Sequence, residues 1–479
     1  MVGVNKDVEH TVGREGYGTG LSRRHVQMIA IGGSIGVGLF LGSGGRMHSI
    51  GPALVLAYAL CGLAGFFVMR ALGELALYRP SSGSFVTYSR EFIGPWAGFA
   101  SGWMYWMNWA TTGVAEITAV GTYVQKWAPG MPQWITALLA LGVLLLINLI
   151  SVKVFGELEF WFSVLKVVAI CAFLAVGIFI AIDGSNMGGG VTAGPHNLVA
   201  GGGFFPNGFG VVLISLQAVI FAYSAIEMVG ITAGETANPQ KVLPKAVNAV
   251  AWRIAVFYIG SILLLGMALP HTMYNGDASP FVMVFSKVGI PAAGDLMNVV
   301  VITAALSSCN SGLYSTGRIL RSLAQRGEAP RFAGRMSSRQ VPVGGIALTA
   351  IVYLAGIVLN FFVPKEAFDL ATSVAGVGVI ATWAAFLYSN ARFNARTRRG
   401  ELERPSFRMP GAPWTNYGTL IFLALVVVLM GFTDETAQRI AFFIAVPGAA
   451  VVLIIGWLCV RKRSHAAARA EESEQAQLS

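Results

Sequence analysis

A helix through residues 96–124 would carry three polar side chains in line along one face. Asn108, Thr112 and Glu116 are each four residues apart within an apolar segment, and residues at that spacing are neighbours on a helix surface. A carboxylate inside a membrane costs at least about 2.5–3.5 kcal/mol to insert, so it is a functional candidate by default. We interpret this face as one that binds a polar substrate side chain, such as a carboxamide. A structural hydrogen-bond network between helices is the alternative.

Two further ionisable residues, Lys166 and Glu227, lie within apolar segments. Burial disfavours an ammonium, so a lysine that is dry in one state of a transporter and wet in another changes its protonation and can couple proton flow to transport. Lys166 has two structural alternatives: to snorkel to the membrane interface, or to pair permanently with Glu157 or Glu159. Glu227 can titrate, or it can brace a break in its helix by accepting backbone N–H bonds.

A polar cluster in the segment 292–318 leaves two interpretations open. It can belong to a substrate site, or it can hydrogen-bond between helices, which explains such clusters as often. The cluster consists of Ser307, Ser308, Asn310 and Ser311.

The stretch Ile31–Phe40 predicts an interrupted helix. Glycines are dense between Gly32 and Gly45, and glycine is a poor helix former. Backbone groups freed by a break are tolerated inside a membrane only where they are buried in protein or line a cavity. The second half of such a helix, starting near Gly36, would point its positive end at that cavity, which suits a carboxylate. Close helix packing is the alternative, because Gly32 and Gly36 form a GxxxG pair.

The composition indicates a polytopic membrane protein. Of the 479 residues, 55% are hydrophobic and 12% are charged, and the charged share is about half that of soluble domains. Because about 20 apolar residues cross a bilayer, we predict an all-α membrane protein with twelve transmembrane helices. They cover residues 26–45, 52–72, 96–124, 132–151, 160–182, 208–231, 252–270, 292–318, 343–362, 367–390, 415–432 and 437–460.

The distribution of Lys and Arg predicts the orientation. The segments Arg318–Arg339 and Arg392–Arg408 are rich in both residues, whereas the loops on the opposite side contain few. We therefore predict that both termini are cytoplasmic, with an N-terminal segment 1–25 and a tail 461–479 that frays after His465. The net charge of +10 indicates contact with anionic membrane lipid and not with nucleic acid.

Spans one and six form a pair of candidate interrupted helices. The sixth contains Phe221–Glu227, with a carboxylate at membrane depth, and it lies five spans after the glycine-rich first. Because five is odd, two five-helix units would be inverted relative to each other. Paired interrupted spans are the best sequence pointer to a transporter site near the membrane midplane. Within the transmembrane domain 26–460, the units cover about residues 26–182 and 208–390, followed by helices 11 and 12 at about 415–460.

Several motifs along this chain resemble those of bacterial amino-acid permeases of the amino acid–polyamine–organocation superfamily. The resemblance extends from about Tyr17 to Arg463. Within that group, Arg79–Phe85 and Gly400–Pro410 look most like the L-asparagine permeases. The motifs are Gly32–Phe40, Arg70–Leu75, Arg79–Phe85, Phe155–Phe162, Gly234–Thr236 and Ser315–Arg318.

The resemblance implies a LeuT-type fold with a five-plus-five inverted repeat and interrupted helices 1 and 6. It implies a substrate carboxylate on backbone N–H groups near Val37 and Gly38, with Ser34 close by. Relatives often have Ser or Thr where this chain has Val37, so a hydroxyl contact to the carboxylate is absent here. In proton-coupled relatives a span-five lysine takes the place of a sodium ion, and Lys166 resembles that residue.

The same resemblance implies that carbonyl groups of the sixth span hold the substrate ammonium. The corresponding residues here are Phe221, Ala222 and Ser224.

These features together predict a secondary transporter that imports a small neutral amino acid, L-asparagine, by proton symport with alternating access across the bacterial inner membrane. Glycine, D-alanine, D-serine, GABA or aromatic amino acids remain alternative substrates, and amino-acid exchange is an alternative mode. A channel would more often repeat a filter motif around an oligomer axis. We predict that the chain is not an enzyme, since it has no catalytic constellation, and that it needs no cofactor and no metal. The oligomeric state stays open.

Overall fold

The computed structural model describes residues 28, 35–80, 84–150, 152–228, 239–338 and 341–478. Regular structure in these residues is helical, apart from one isolated antiparallel bridge between Asn186 and Thr192. The first half of the chain forms α1 (Val37–Phe40), α2 (Gly42–Ile50), α3 (Leu54–Tyr78), α4 (Ser84–Phe92), α5 (Pro95–Val124), α6 (Gln133–Ile150), α7 (Val152–Asp183), α8 (Phe209–Ile214) and α9 (Leu216–Ala222).

The second half continues in the same all-helical manner. A π-helical turn, Ile254–Gly260, joins two of its helices, and another, Ala441–Ala445, lies in the last span. The helices are α10 (Pro239–Arg253), α11 (Ser261–Ala268), α12 (Pro280–Lys287), α13 (Ala293–Gln325), α14 (Val343–Phe362), α15 (Ala367–Arg398), α16 (Trp414–Leu429), α17 (Thr436–Ile440) and α18 (Val446–Leu478).

Eight stretches of the described residues are long and apolar enough to cross a membrane. Twelve were predicted, and part of the difference has two origins. The helices α1, α2 and α3, which cover two predicted spans, follow one another closely enough to count as one stretch of 42 residues, Val37–Tyr78, although Gly51 between α2 and α3 has a φ of 76°. The sixth predicted span is broken. The eight are Val37–Tyr78, Phe155–Asp183, Leu243–Ala268, Ala293–Gln325, Val343–Phe362, Ala367–Arg398, Trp414–Phe432 and Thr436–Ala467.

The chain is non-helical at both positions where the sequence predicts a break. Gly36 has an extended backbone and α1 begins directly after it at Val37; the part of this span before Ile35 lies outside the described residues. In the sixth span α9 ends at Ala222, and Ala225 adopts a left-handed backbone with φ of 71°. That conformation costs a non-glycine residue on the order of 1–3 kcal/mol, so the surrounding structure must hold it in place.

The long helix α5 lies at the centre of the bundle and packs against α13 and α15. Close packing depends on small residues at the helix contacts. A Cβ on Gly113 would lie 1.9 Å from the Tyr353 hydroxyl oxygen, and one on Gly312 would lie 3.2 Å from the same oxygen and 2.9 Å from the Trp109 ring. Tyr353 of α14 therefore fills a gap that glycines leave between α5 and α13.

The loop after α15 is fastened to α3 through the buried carboxylate of Glu74. The Arg404 guanidinium donates to Glu74 Oε1 at 2.5 Å, and the Met409 N–H and the Asn390 amide donate to Oε2 at 2.9 and 3.1 Å. Arg70, one turn earlier on α3, places its guanidinium 3.8 Å from the centre of the Phe407 ring. Glu74 is fully buried, so its charge depends on these donors.

The last helix is fastened to the bundle by a second ionic cluster. Arg90 makes a bidentate pair with the fully buried carboxylate of Glu328, both bonds being 2.8 Å. The hydroxyl of Ser464 donates to the same carboxylate at 2.6 Å. The expectation that the chain frays after His465 is wrong for the backbone, because α18 continues to Leu478 through Ala, Glu and Gln, which are good helix formers.

We expect Arg404→Ala to lower thermal stability, because it removes a charged donor from the buried Glu74 carboxylate. A hydrogen bond to a charged group contributes about 1.5–3 kcal/mol. Arg399→Ala is the matched control, since Arg399 is 71% exposed and pairs with Glu401 at 3.8 Å, an arrangement that contributes about 0–1 kcal/mol. Melting of the detergent-solubilised protein, followed by size exclusion, measures both; equal melting temperatures would show that the Glu74 cluster adds no stability.

Candidate functional site

The start of α1 meets the break after α9 with their backbones in direct contact. A Cβ on Gly38 would lie 2.6 Å from the Cα of Ala222 and 3.1 Å from its nitrogen. Val37, Gly38, Phe221 and Ala222 are all buried. The structure therefore brings together four of the residues predicted to hold the substrate backbone, and only glycine at position 38 permits the approach.

The turn after α9 uses part of its hydrogen-bonding capacity internally. The Ser224 N–H donates to the Phe221 carbonyl at 3.0 Å, and the Tyr223 N–H donates to the Ile220 carbonyl at 2.9 Å. A carbonyl oxygen has two lone pairs, so Phe221 keeps acceptor capacity. Ser224 is half-buried in this turn. Ser34, the remaining predicted contact, lies outside the described residues.

Glu116 points at the start of α1. A Cβ on Gly36 would lie 2.7 Å from Glu116 Oε1 and 3.4 Å from the Ser308 hydroxyl oxygen. The carboxylate interacts with the Val37 backbone N–H and the Ser308 side chain, and its Oε2 has no hydrogen-bond partner among the described residues. Glu116 is 2% exposed, so a buried carboxylate occupies the place predicted for the carboxylate of the substrate.

The other two polar residues of that face of α5 bond to each other. The Thr112 hydroxyl donates to Asn108 Oδ1 at 3.2 Å. Asn108 also packs against α15, where a Cβ on Gly378 would lie 2.7 Å from the Asn108 Cβ. All three residues of the face are buried, and the first two form a polar pair beside α15 while Glu116 turns towards α1 and α13.

Lys166 is fully buried, which excludes the snorkelling alternative for this arrangement. It interacts electrostatically with Glu159 of its own helix and with Glu116 of α5. Glu159 is also fully buried and accepts a hydrogen bond of 2.5 Å from the Ser307 hydroxyl of α13. One ammonium thus lies among two carboxylates, away from solvent.

The polar cluster of α13 joins several helices to this group. Ser307 bonds to Glu159, and Ser308 interacts with Glu116. The Asn148 amide of α6 donates to Asn310 Oδ1 at 2.7 Å. The cluster therefore makes hydrogen bonds between helices, and two of its serines do so at the buried carboxylates.

Glu227 lies buried just after the turn that follows α9. Trp383 and the backbone of Ala225 interact with its carboxylate. Within the described part of the chain, no group meets the full geometry of a hydrogen bond to either of its oxygens. A change in the backbone conformation of this turn would therefore change the surroundings of the Glu227 carboxylate.

Two buried residues near these elements escaped the sequence-based prediction. Glu159 was considered only as a partner of Lys166, because its bond to Ser307 joins positions 148 residues apart. Gln217 lies one turn before Phe221, and its amide donates to the Ser373 carbonyl at 3.1 Å while its Oε1 has no partner among the described residues. A glutamine in an apolar segment was the available signal for the second.

A cavity of about 880 Å³ opens beside the start of α2. It reaches Leu41 and Thr122, which lie about one and two turns beyond Gly38 and Glu116 on neighbouring helical segments. Arg46 and Asp369 also line it. None of the described residues of the candidate site lines it. Among the described residues, no cluster of His, Cys, Asp and Glu could hold a metal ion.

Comparisons with known proteins identify the family of this chain. Residues 25–467 match the family model described as amino acid permease. The chain is 52% identical to an L-asparagine permease of Streptomyces coelicolor, covering 94% of this chain and 92% of the relative. It is 50% identical to an L-asparagine permease of Escherichia coli K12, covering 94% and 90% of the two chains. It is also 50% identical to L-asparagine permease 1 of Mycobacterium tuberculosis H37Rv, covering 95% and 93%. The chain is a multi-pass membrane protein that belongs to the amino acid permease family, a family of transporters and not of enzymes.

Proposed function

We propose that this permease imports L-asparagine by proton symport with alternating access. The observation that carries the proposal is the contact between the start of α1 and the broken end of α9, with buried ionisable groups beside it. The substrate carboxylate binds the backbone N–H groups near Val37 and Gly38, with Ser34 close by. Its ammonium binds carbonyl groups of Phe221, Ala222 and Ser224. The relatives at about half identity that are named L-asparagine permeases support this substrate.

The proposal includes the arrangement of the chain in the membrane. Twelve transmembrane helices form two inverted five-helix units, about 26–182 and 208–390, followed by two further helices in 415–460. Both termini, segments 1–25 and 461–479, lie in the cytoplasm of a bacterial cell, and the basic segments on that side contact anionic lipid. The Lys and Arg distribution supports this orientation.

The polar face of α5 binds the substrate side chain. A carboxamide has two donors and one acceptor with two lone pairs, and the Thr112–Asn108 pair together with Glu116 offers both kinds of partner. A site built to hydrogen-bond a polar group rejects analogues that lack it, because its own buried groups are then left unpaired. The burial of all three residues supports this role.

We assign proton coupling to two buried ionisable residues, Lys166 and Glu227. Lys166 lies among two carboxylates, so its charge influences how many protons the group holds. Glu227 lies beside the broken helix end, where a conformational change alters its surroundings. Buried groups whose exposure changes between two states exchange protons with the side to which they open.

The direct test is uptake of labelled L-asparagine into proteoliposomes containing the full chain, with and without an inward proton gradient. We expect saturable uptake that the gradient accelerates, and competition by unlabelled L-asparagine stronger than by glycine, D-alanine, D-serine, GABA or aromatic amino acids. Stronger competition by one of the others would change the substrate. Uptake that requires internal amino acid and ignores the gradient would replace symport by exchange.

Gly38→Leu should abolish L-asparagine binding, because the added side chain has to displace Ala222 and fills the place of the substrate carboxylate. Gly142→Leu on α6 is the matched control, since a Cβ there meets nothing within 4 Å. Binding of labelled asparagine to purified protein, together with elution at the wild-type volume, measures both variants. Normal binding by Gly38→Leu would move the carboxylate site elsewhere.

Thr112→Val should change the ranking of competing amino acids and weaken asparagine about tenfold, since one lost hydrogen bond leaves a buried partner unsatisfied. Thr111→Val is the control, because the Thr111 hydroxyl donates to the Met107 carbonyl of its own helix at 2.7 Å. Competition against labelled asparagine gives the ranking. An unchanged ranking in the Thr112 variant would make the α5 face structural.

Lys166→Ala should lose the acceleration of uptake by an inward proton gradient, because it removes the only ammonium of the buried group formed with Glu116 and Glu159. Asparagine counterflow without a gradient reports on the remaining transport cycle. Gradient dependence like that of the wild type in this variant would move the coupling role to Glu227 or Glu116 and leave Lys166 as a structural residue.

A further inference from the structure

We propose that Glu116 holds the transported proton, and that this proton is required because the ionised Glu116 carboxylate and the substrate carboxylate compete for the same place beside Val37. The inference rests on the proposed function and deepens it, since it names the residue through which proton and amino acid are coupled. It gives Glu116 a second role besides recognition of the side chain.

The Glu116 carboxylate lies at the place proposed for the substrate carboxylate. Glu116 interacts with the Val37 N–H, and its Oε1 would lie 2.7 Å from a Cβ on Gly36. The substrate carboxylate is proposed to bind the N–H groups of Val37 and Gly38. Two carboxylates sharing one site cannot both ionise without strong repulsion, so one of them holds a proton. An α-carboxyl group is the stronger acid of the two, and the proton therefore goes to Glu116.

Glu116, Glu159 and Lys166 form one buried group of ionisable side chains. When all three residues are ionised, Lys166 contributes one positive charge and Glu116 and Glu159 contribute two negative charges, and the three interact electrostatically. All three residues are buried, and burial favours arrangements without net charge. Glu159 interacts with Ser307, Asn310 and Ser311 of α13, whereas Ser308 is the α13 hydrogen-bonding side chain that interacts with Glu116. Glu116 is therefore the less stabilised carboxylate, and its proton is the one that neutralises the group.

The inward direction of proton movement also favours a carboxyl group as the proton carrier. Burial favours the neutral form of a carboxyl group, and hydration favours its ionised form. A carboxyl group that is dry when the site is closed and wet when it opens inward therefore releases its proton to the cytoplasm, as import by symport requires. An ammonium behaves in the opposite sense, because hydration favours its protonated form. A carboxyl group is thus suited to deliver the proton, and Lys166 takes part in coupling by influencing how readily Glu116 binds that proton.

Several further ionisable groups, on the helix of Glu116 and on neighbouring helices, interact with its carboxylate. Electrostatic interactions join Glu116 to Cys309 of α13, Tyr353 of α14 and Tyr123 of its own helix, in addition to Lys166 of α7. Thiols and phenols are uncharged near neutral pH. Lys166 is therefore the charged residue whose presence tunes proton binding at Glu116.

The proposal makes asparagine binding dependent on pH with a defined sign. Only the protonated form of Glu116 accepts the substrate carboxylate, so affinity falls as pH rises. Above the titration of Glu116 it falls up to about tenfold per pH unit, because one proton is taken up with each substrate. We expect a loss of at least about tenfold between pH 6 and pH 9.5 for the wild-type chain, in addition to the loss that deprotonation of the substrate ammonium causes in every variant.

The experiment measures binding of labelled L-asparagine to the purified full chain across this pH range, and uptake with an imposed proton gradient. Glu116→Gln should lose this additional pH dependence, so that its affinity for asparagine changes only as the substrate ammonium titrates, and its uptake should no longer respond to the gradient. Glu401→Gln, an exposed carboxylate in the loop after α15, should keep the wild-type pH dependence. If Glu116→Gln keeps it as well, the proposal is overturned.

Lys166→Arg provides a second arm that does not depend on the Glu116 variant folding. Arginine keeps the positive charge but does not release a proton. If Glu116 is the carrier, the Lys166→Arg protein still binds asparagine in a pH-dependent manner. Loss of that dependence, with counterflow intact, would make the lysine the carrier and contradict the proposal.

Glu159→Gln tests the charge of the group. Removing the second carboxylate leaves Lys166 to favour the ionised form of Glu116, so the pH at which asparagine binding is lost should move downwards. An unchanged midpoint would show that the three residues do not share a charge and would oppose the assignment. A wild-type chain that binds no asparagine, or whose uptake ignores the gradient, would instead contradict the proposed function itself.

Discussion

The architecture depends on one constraint: backbone N–H and C=O groups inside a membrane must find partners within the protein. A helix satisfies them automatically, and a break exposes them. Here the extended backbone at Gly36 and the end of α9 at Ala222 lie against each other. The freed groups of the two segments are thus shielded from lipid and gathered in one place. The zwitterion site that we propose uses this gathering, with N–H donors from one segment and carbonyl acceptors from the other.

Buried charge is the second constraint, and it explains why the polar residues come from distant parts of the chain. Glu116, Glu159 and Lys166 belong to two helices, while the hydroxyl groups that bond to the carboxylates come from α13. A charged side chain without a partner inside a membrane costs free energy. The partners of these three residues therefore come from several helices. The network forms only when α5, α7 and α13 are assembled, so the site and the fold stabilise each other.

Much of the site was predictable because its signals are local. Glycine density predicted the break at Gly36, and the sequence around Phe221 predicted the end of α9. Side-chain partners were not predictable, because they depend on packing. The i, i+4 pattern gave Asn108, Thr112 and Glu116 a common face, yet only the structure shows Glu116 turning to α1 while the other two bond to each other. The contact of Glu159 with Ser307 had no local signal at all.

The Tyr353 side chain has a mechanical consequence. Its hydroxyl oxygen fills the space above Gly113 of α5 and lies near Gly312 of α13, so three helices interlock around one ring. Sliding one of these helices past the others would push the Tyr353 ring against backbone atoms. Protein interiors are close-packed and leave no free space for such a shift. These helices therefore form a stiff frame, which fixes the spacing between the polar groups on α5 and those on α13.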